Sequence, residues 1–182
     1  NIGNENILIA LADLYRSTKQ YKKAILYYSK ILNTNINEDL KSSLLFMRGI
    51  CYERLNNWQS AEEDFLNSLE INKDSANTLN YLAYAWIERN MFLDRSIKML
   101  NKAYDKSPES HYILDSLAWA HYKKNNLLKK NNPKEFKKYC KNFLPIERMC
   151  NVEELAQAVL FLCSKNSSYM PGSILKFDGV GN

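Results

Sequence analysis

Four cysteines, two histidines and a run of lysines are the side chains here with the most chemistry to offer. Metal binding by Cys and His needs ligands at short fixed spacings, as in C-x-x-C pairs. Cys51, Cys140, Cys150 and Cys163 form no such pair, and His111 and His121 lie outside ligand spacing. No metal site is expected, and the cysteines read as isolated, mostly buried thiols; a disulfide between two tail cysteines is the alternative. The lysines are Lys123, Lys124, Lys129, Lys130, Lys134, Lys137, Lys138 and Lys141. A run of this kind can bind phosphate backbones. This one has no arginine for bidentate contacts and only Phe136 and Tyr139 as interleaved aromatics. It reads as a solvated face, with nucleic acid or an acidic membrane surface as the lesser alternative.

Helices must position these groups. The 182 residues are 46% hydrophobic and 25% charged, with only five Gly and four Pro. So few breakers argue for mostly helix and against an all-β fold. No apolar run approaches the roughly 20 residues of a membrane span. The opening Asn1-Ile2-Gly3-Asn4-Glu5 has no Met, no basic region and no apolar stretch. It reads as an interior starting point, which would hide any targeting segment. A cytoplasmic location is expected, with export as the alternative. The net charge of +5 is uneven: residues 1–125 hold 16 Lys/Arg against 15 Asp/Glu, and 126–182 hold 9 against 5.

The strongest signal is internal repetition. Leu79, Leu82, Ala83 and Trp86 are answered about 35 positions later by Leu114, Leu117, Ala118 and His121. Earlier, Tyr15 and Ala24 return as Tyr52 and Ala61. A first helical pair is predicted over 5–32, with its break at Ser17–Gln20 and apolar positions Leu8, Leu11, Ala12, Tyr15, Ala24, Tyr28 and Ile31 at helical spacing. A second pair follows the linker 33–39. Leu45, Gly49 and Tyr52 mark its first helix, Asn56-Asn57 its turn, and Ala61, Phe65 and Leu69 its second; Trp58 is expected to pack over the next helix. The third pair spans Asn77 to Ala103. Ala12, Gly49 and Ala83, and then Ala24, Ala61 and Ser96, are small residues expected where two helices cross. Ser107 is expected as N-cap and Pro108 at the first position of a last helix ending near Lys124. Its periodicity stops at 125–133.

These spacings resemble the tetratricopeptide repeat (TPR) over residues 5–124, as three and a half repeats. The segments RGICYERLNNWQSAEEDF, LNYLAYAWIERN and YILDSLAWAHYK carry the likeness, and they closely resemble multi-repeat proteins of alphaproteobacterial type. Arg48 stands at a Leu position, Ser96 at an Ala position, and the repeat Pro occurs only at Pro108. The resemblance implies an all-α, helix-turn-helix TPR solenoid whose first helices line a concave groove for a peptide or partner surface. The groove positions map to Asn6, Ile9, Asp13 and Arg16; to Ser43, Phe46, Ile50 and Glu53; to Asn77, Asn80, Tyr84 and Ile87; and to Tyr112, Asp115, Trp119 and Tyr122. Such a groove is apolar to aromatic toward its C-terminal end, which suits an extended or helical apolar segment. A carboxylate clamp is not expected, because Ile9 and Asp13 stand where Lys and Asn are needed. Each groove aromatic has a second use, packing within the array or under the tail.

After the linker 125–132 the pattern changes. Pro133–Asn142 reads as a short basic helix. Pro145-Ile146-Glu147-Arg148, Glu153-Glu154-Leu155-Ala156, Val159-Leu160-Phe161-Leu162, Ser168-Tyr169, Gly172 and Phe177-Asp178-Gly179 then resemble the C-terminal end of short-chain dehydrogenases/reductases, over 133–182. Pro171 and Val180 depart from that pattern. Val152–Ser164 is predicted as an amphipathic helix, with Glu153 and Glu154 in the first turn where the helix dipole favours them. Ser173–Phe177 has strand character, without a second strand to pair with. The likeness does not extend to the family's chemistry: no Gly-rich turn for a dinucleotide is present, and Tyr169 is followed at +4 by Ser173 instead of Lys.

The expected function is therefore a protein-interaction module with a protein or peptide partner. No cofactor, no small-molecule substrate and no catalytic residues are expected, and nucleic acid is disfavoured. Two other readings stand beside it. One is a split dehydrogenase whose tail joins a separately encoded body. The other is a rearrangement product, a truncated TPR gene running into a truncated dehydrogenase gene, with residual binding or none. Helix 152–164, through Val152, Leu155, Ala156, Val159, Leu160 and Cys163, or helix 134–142, is expected to cap the array over Pro108–Lys124.

Overall fold

The computed structural model describes residues 2–143, 148 and 152–162. Among these every regular element is a helix. The chain divides into two compact units, 1–121 and 122–182. The first holds α1 (Ile2–Ser17), α2 (Tyr21–Leu32), α3 (Glu38–Arg54), α4 (Trp58–Ile71), α5 (Ala76–Glu88), α6 (Leu93–Lys106) and the start of α7 (His111–Asn131). α1–α2, α3–α4 and α5–α6 pack as successive pairs, and the helix from Glu38 begins within the segment expected as linker.

The three within-pair turns are closed in the same way. Lys19, Asn56 and Asn90 each take a left-handed backbone, with φ of 60°, 60° and 56°. The next N–H, from Gln20, Asn57 or Met91, then donates to the carbonyl of Tyr15, Tyr52 or Trp86 at 2.8, 2.9 and 2.8 Å. This is the six-to-one bond that satisfies carbonyls orphaned at a helix end. Its acceptors are the repeated aromatic positions, so one residue type ends the helix and fills the core behind it. Asn tolerates the left-handed region better than most residues. Side chains start α3 and α4, where Asn37 accepts from the Leu40 N–H at 2.8 Å and Asn57 from the Ser60 N–H at 3.3 Å, whereas Gln20 and Phe92, before α2 and α6, make no side-chain cap.

The small residues lie where the pairs cross. Ala12, Ala24, Ala61, Ala83 and Ser96 are fully buried. At Gly49 a Cβ would sit 2.7 Å from the Phe65 ring. That ring cannot retreat easily, because it is buried and packs against Phe46 and Tyr81, at centroid distances of 6.0 and 5.3 Å. Gly49→Ala would gain up to about 1 kcal/mol of helix propensity. It would lose about 1–3 kcal/mol to overpacking. A net loss is expected, read as a lower midpoint in thermal unfolding; a raised midpoint would show that the ring yields freely.

Polar ties join helices within a repeat and across repeat boundaries. Ser42 and Ser68, both buried, exchange hydroxyl bonds to each other's carbonyls at 3.0 and 2.9 Å. Arg48 forks onto Asp64 at 2.8 and 2.7 Å and reaches Ser29 on α2 at 2.9 Å. The departure from Leu at this position thus joins α2, α3 and α4. Trp58 packs as expected, half-buried, with the Arg89 guanidinium 4.0 Å from its ring centroid. In the α4–α5 loop, hydrogen bonds from Lys106 and Lys102 pull the Asp74 carboxyl from 3.8 down to about 2. A lowered folded-state value stabilises above the unfolded one, so this contribution is full above 3.8 and lost as pH falls toward about 2. Lys106→Ala is expected to move the Asp74 titration upward in a carboxyl NMR experiment.

The fourth repeat departs from expectation. Pro108 is not the first residue of a helix. Ser107–Ser110 forms a turn, with the Ser110 N–H bonded to the Ser107 carbonyl at 3.1 Å, and α7 starts at His111. Nor does α7 stop near Lys124; it runs through Asn125-Asn126 to Asn131. Leu127, Leu128, Lys129 and Lys130 are good helix formers, and the left-handed turn of the first three repeats does not form. The next helix among the described residues starts only at Pro133, and the counterparts of four buried residues have a different environment. Leu79, Leu82, Ala83 and Trp86 are buried, whereas Leu114, Ala118 and His121 are exposed and Leu117 is half-buried.

The second unit contains the end of α7, α8 (Pro133–Phe143) and α9 (Val152–Leu162). The N-cap and Pro arrangement expected at 107–108 is realised at 132–133. Asn132 accepts from the Glu135 N–H at 3.2 Å while its amide donates to the Glu135 carboxylate at 2.7 Å, and Pro133 is the first helical residue. Lys134, Lys137, Lys138 and Lys141 are exposed. Arg148 donates to Glu154 in the first turn of α9 at 2.8 Å. The segment Ser173–Phe177, Cys150 and Cys163 lie outside the described residues; of the proposed capping stripe, Ala156 and Leu160 are exposed.

Candidate functional site

α5 presents Asn77, Asn80, Tyr81, Tyr84 and Glu88 along one face, at steps of three, four, seven and eleven residues. α7 answers with Tyr112, Asp115, Ser116 and Trp119 at steps of three, four and seven. These spacings place each set in one stripe. Between the stripes is a cavity of about 420 Å³ lined by Asn80, Tyr81, Tyr84, Tyr112, Asp115, Ser116 and Trp119.

Its rim is pinned at both ends. The Tyr112 hydroxyl donates to Asn77 Oδ1 at 2.8 Å, and Trp119 Nε1 donates to Glu88 Oε1 at 2.6 Å. The Tyr81 hydroxyl donates to Glu53 at 3.4 Å and the Ser116 hydroxyl to the Tyr112 carbonyl at 2.9 Å. Burial first, and then the Glu53 carboxylate, push the Tyr81 phenol up to about 12; it stays a neutral donor at neutral pH. Asn80 is only 9% exposed, and its Oδ1 is buried without a partner. Buried polar groups are nearly always bonded, so this acceptor marks a place that a ligand could complete.

Residues 6–35 and 42–75 each match the Tetratricopeptide repeat family. These two segments are tetratricopeptide repeats. A TPR repeat-containing protein of Pseudomonas aeruginosa is 30% identical over 90 residues, covering 50% of this chain and 15% of that protein. Among solved structures, the first TPR domain of Spaghetti bound to an HSP90 peptide has a TM-score of 0.59 at 17% identity, covering 67% of this chain and 94% of that one. The UNC-45 chaperone has a TM-score of 0.60 at 16% identity, covering 92% and 19%. Identities this low carry the solenoid fold alone.

The part beyond the TPR array matches a different family. Residues 122–180 match the family described as Enoyl-(Acyl carrier protein) reductase. A 3-oxoacyl-[acyl-carrier-protein] reductase of Buchnera aphidicola is 41% identical over 56 residues, covering 31% of this chain and 22% of that enzyme. The chain thus spans less than a quarter of either curated relative. The dinucleotide such enzymes imply does not fit the residues present. Gly3 and Gly49 lie inside α1 and α3, not in a strand-to-helix turn, and no Gly-x-Gly-x-x-Gly occurs.

Five of the expected groove residues, Asn80, Tyr84, Tyr112, Asp115 and Trp119, come together at the pocket, with Asn77 bonded to its rim. Most of the earlier TPR positions are spent inside the array. Tyr28 donates to Asp13 at 2.6 Å and accepts from Arg16 at 3.1 Å, and burial pushes the Tyr28 phenol up. Ile9 packs on the first core, and Phe46 and Ile50 on the next. Glu53 pairs with Arg89 at 3.4 Å. Asn6 and Ser43 are exposed. Ile87 is a correction. It is 1% exposed and packs with Ala83, Leu100 and Ala120 in the core, because the inward face of α5 turns through it. Tyr122 lies in the second unit and is exposed. Tyr81, Ser116 and Glu88 were missed, although helical spacing from Asn77, Tyr112 and Tyr84 could have found them.

Cys51 is buried, and burial pushes its thiol up to about 11. It is a poor nucleophile at neutral pH. No helix of the described residues is long and apolar enough to cross a membrane. Among the described residues no group of three His, Cys, Asp or Glu could hold a metal ion.

Proposed function

We propose that residues 5–124 are a protein-interaction module that takes an extended segment of its partner into the pocket between α5 and α7. The observation that carries this reading is the pocket itself: aromatic side chains with their polar tips held in place, around a buried acceptor that lacks a partner. Rigid aromatics lose little entropy on binding and make good anchors. A random nonapeptide array tests it. Peptides bound by the chain should lose at least tenfold in affinity against Tyr84→Ala with Trp119→Ala, while helical circular dichroism is unchanged. Equal binding by a folded double variant overturns the assignment.

In this reading the chain acts by binding, not by catalysis. The match of 122–180 to a reductase family favours one second reading, a segment that completes a separately encoded enzyme body. Titration with NADPH and NADH separates the two: no saturable binding is expected of this chain, and saturable binding would favour the enzyme.

A further inference from the structure

We propose that the α5–α7 pocket selects a basic side chain, arginine before lysine, on the bound peptide. This rests on the interaction-module reading and names what that module recognises.

The pocket is rich in what a cation needs and poor in what an anion needs. Tyr84 and Tyr112 are 43% and 53% exposed, so their rings are accessible beside Trp119. Aromatic faces attract guanidinium and ammonium groups, Trp most strongly. The N–H of Trp119 and the hydroxyls of Tyr112, Tyr81 and Ser116 are already committed as donors. Two acceptors lack a partner: the Asp115 carboxylate, exposed and without an ion pair among the described residues, and Asn80 Oδ1, buried in the pocket wall, which a small side-chain shift would bring to a ligand. No lysine or arginine lines the cavity among the described residues. An acidic side chain or a peptide C-terminus would meet a like charge there. A planar guanidinium can stack on a ring and still direct separate N–H groups at two acceptors; an ammonium cannot match that geometry.

The test uses the full chain and acetylated, amidated nonapeptides with identical apolar flanks. They differ at the central residue alone: arginine, lysine, citrulline or glutamate. Calorimetric titration is expected to give arginine at least tenfold tighter than citrulline, which has the same shape without charge, with lysine between them and glutamate weakest. Asp115→Asn, a change at an exposed residue, should weaken the arginine peptide at least fivefold and the citrulline peptide less than twofold, because citrulline loses no charge pairing. Affinities independent of the central residue, or tightest for glutamate, overturn the cation assignment while the interaction module stands. Lysine equal to or above arginine overturns the guanidinium preference. If none of the four binds, the pocket is not a peptide site and both readings fall.

Discussion

Arg48→Ala is expected to cost about 3–5 kcal/mol of stability, because it leaves a buried carboxylate without its partner. Asp64 is 4% exposed and Arg48 20%. The pair is bidentate, and its bonds hold the Arg48 guanidinium firmly protonated. Burial pushes the Asp64 carboxyl up, against the pull of Arg48. Removing the guanidinium leaves burial alone, so the folded-state value climbs further above 3.8. A raised folded-state value for an acid is a penalty that is full at high pH and relieved as pH falls toward the unfolded value. The deficit of Arg48→Ala should therefore be larger at pH 7 than at pH 5 in urea unfolding. Arg48→Leu with Asp64→Leu restores the apolar residue that the repeat pattern leads one to expect at 48. It should return to within about 1 kcal/mol of the parent, since a packed apolar pair often replaces a buried ion pair without loss. A double variant as unstable as the single one would mean that the array needs the charge itself.

Trp86→Ala is expected to cost a similar amount, about 3–5 kcal/mol, from the cavity it leaves. Trp86 is among the largest fully buried side chains. Its Nε1 donates to Glu62 on α4, the Arg95 guanidinium from α6 lies 4.8 Å from its ring centroid, and Phe92 meets its edge at 5.1 Å. It thus joins the second repeat to the third at α4–α5, a thinner junction than α2–α3. In a repeat array stability is a sum of unit and nearest-neighbour terms. Weakening this junction should split thermal unfolding into two steps, with the α5–α7 pocket lost in the first. Trp86→Phe keeps most of the ring and gives up the bond to Glu62, which reaches solvent; it should cost about 1 kcal/mol and keep one step. A single cooperative transition in Trp86→Ala would show that the repeats are coupled elsewhere.

Much of the array could be read from residue types. Ala12, Gly49 and Ala83 recur because two helices cross at those points and only a small side chain fits. Tyr15, Tyr52 and Trp86 recur because each fills the core and ends its helix through its carbonyl. Both requirements are local to one pair of helices, so they leave a periodic mark. The ends of α7 were not legible in this way. Ser107-Pro108 has the composition of a helix start, yet the chain spends those residues on a turn; Asn132-Pro133 has the same composition and does start a helix. Composition limits what each pair can do, and packing chooses which does it.

The groove was half legible for the same reason. The tetratricopeptide resemblance could put Ile9, Asp13, Arg16 and Ile87 on the first-helix face, but not say how each would be used there. Asp13 and Arg16 are engaged by Tyr28, a residue of the returning helix, and Ile87 by the core beneath Ala120. Asn80, Tyr84, Tyr112, Asp115 and Trp119 converge because two first helices lie side by side and Asn77 and Glu88 hold the opposing rings. The sequence by itself determined the repeat, the helix class and the change of pattern at 125–133, all properties of residue order along the chain. Only the tertiary structure decided which face of each helix remains open, since a side chain is free or spent according to its neighbour on another helix.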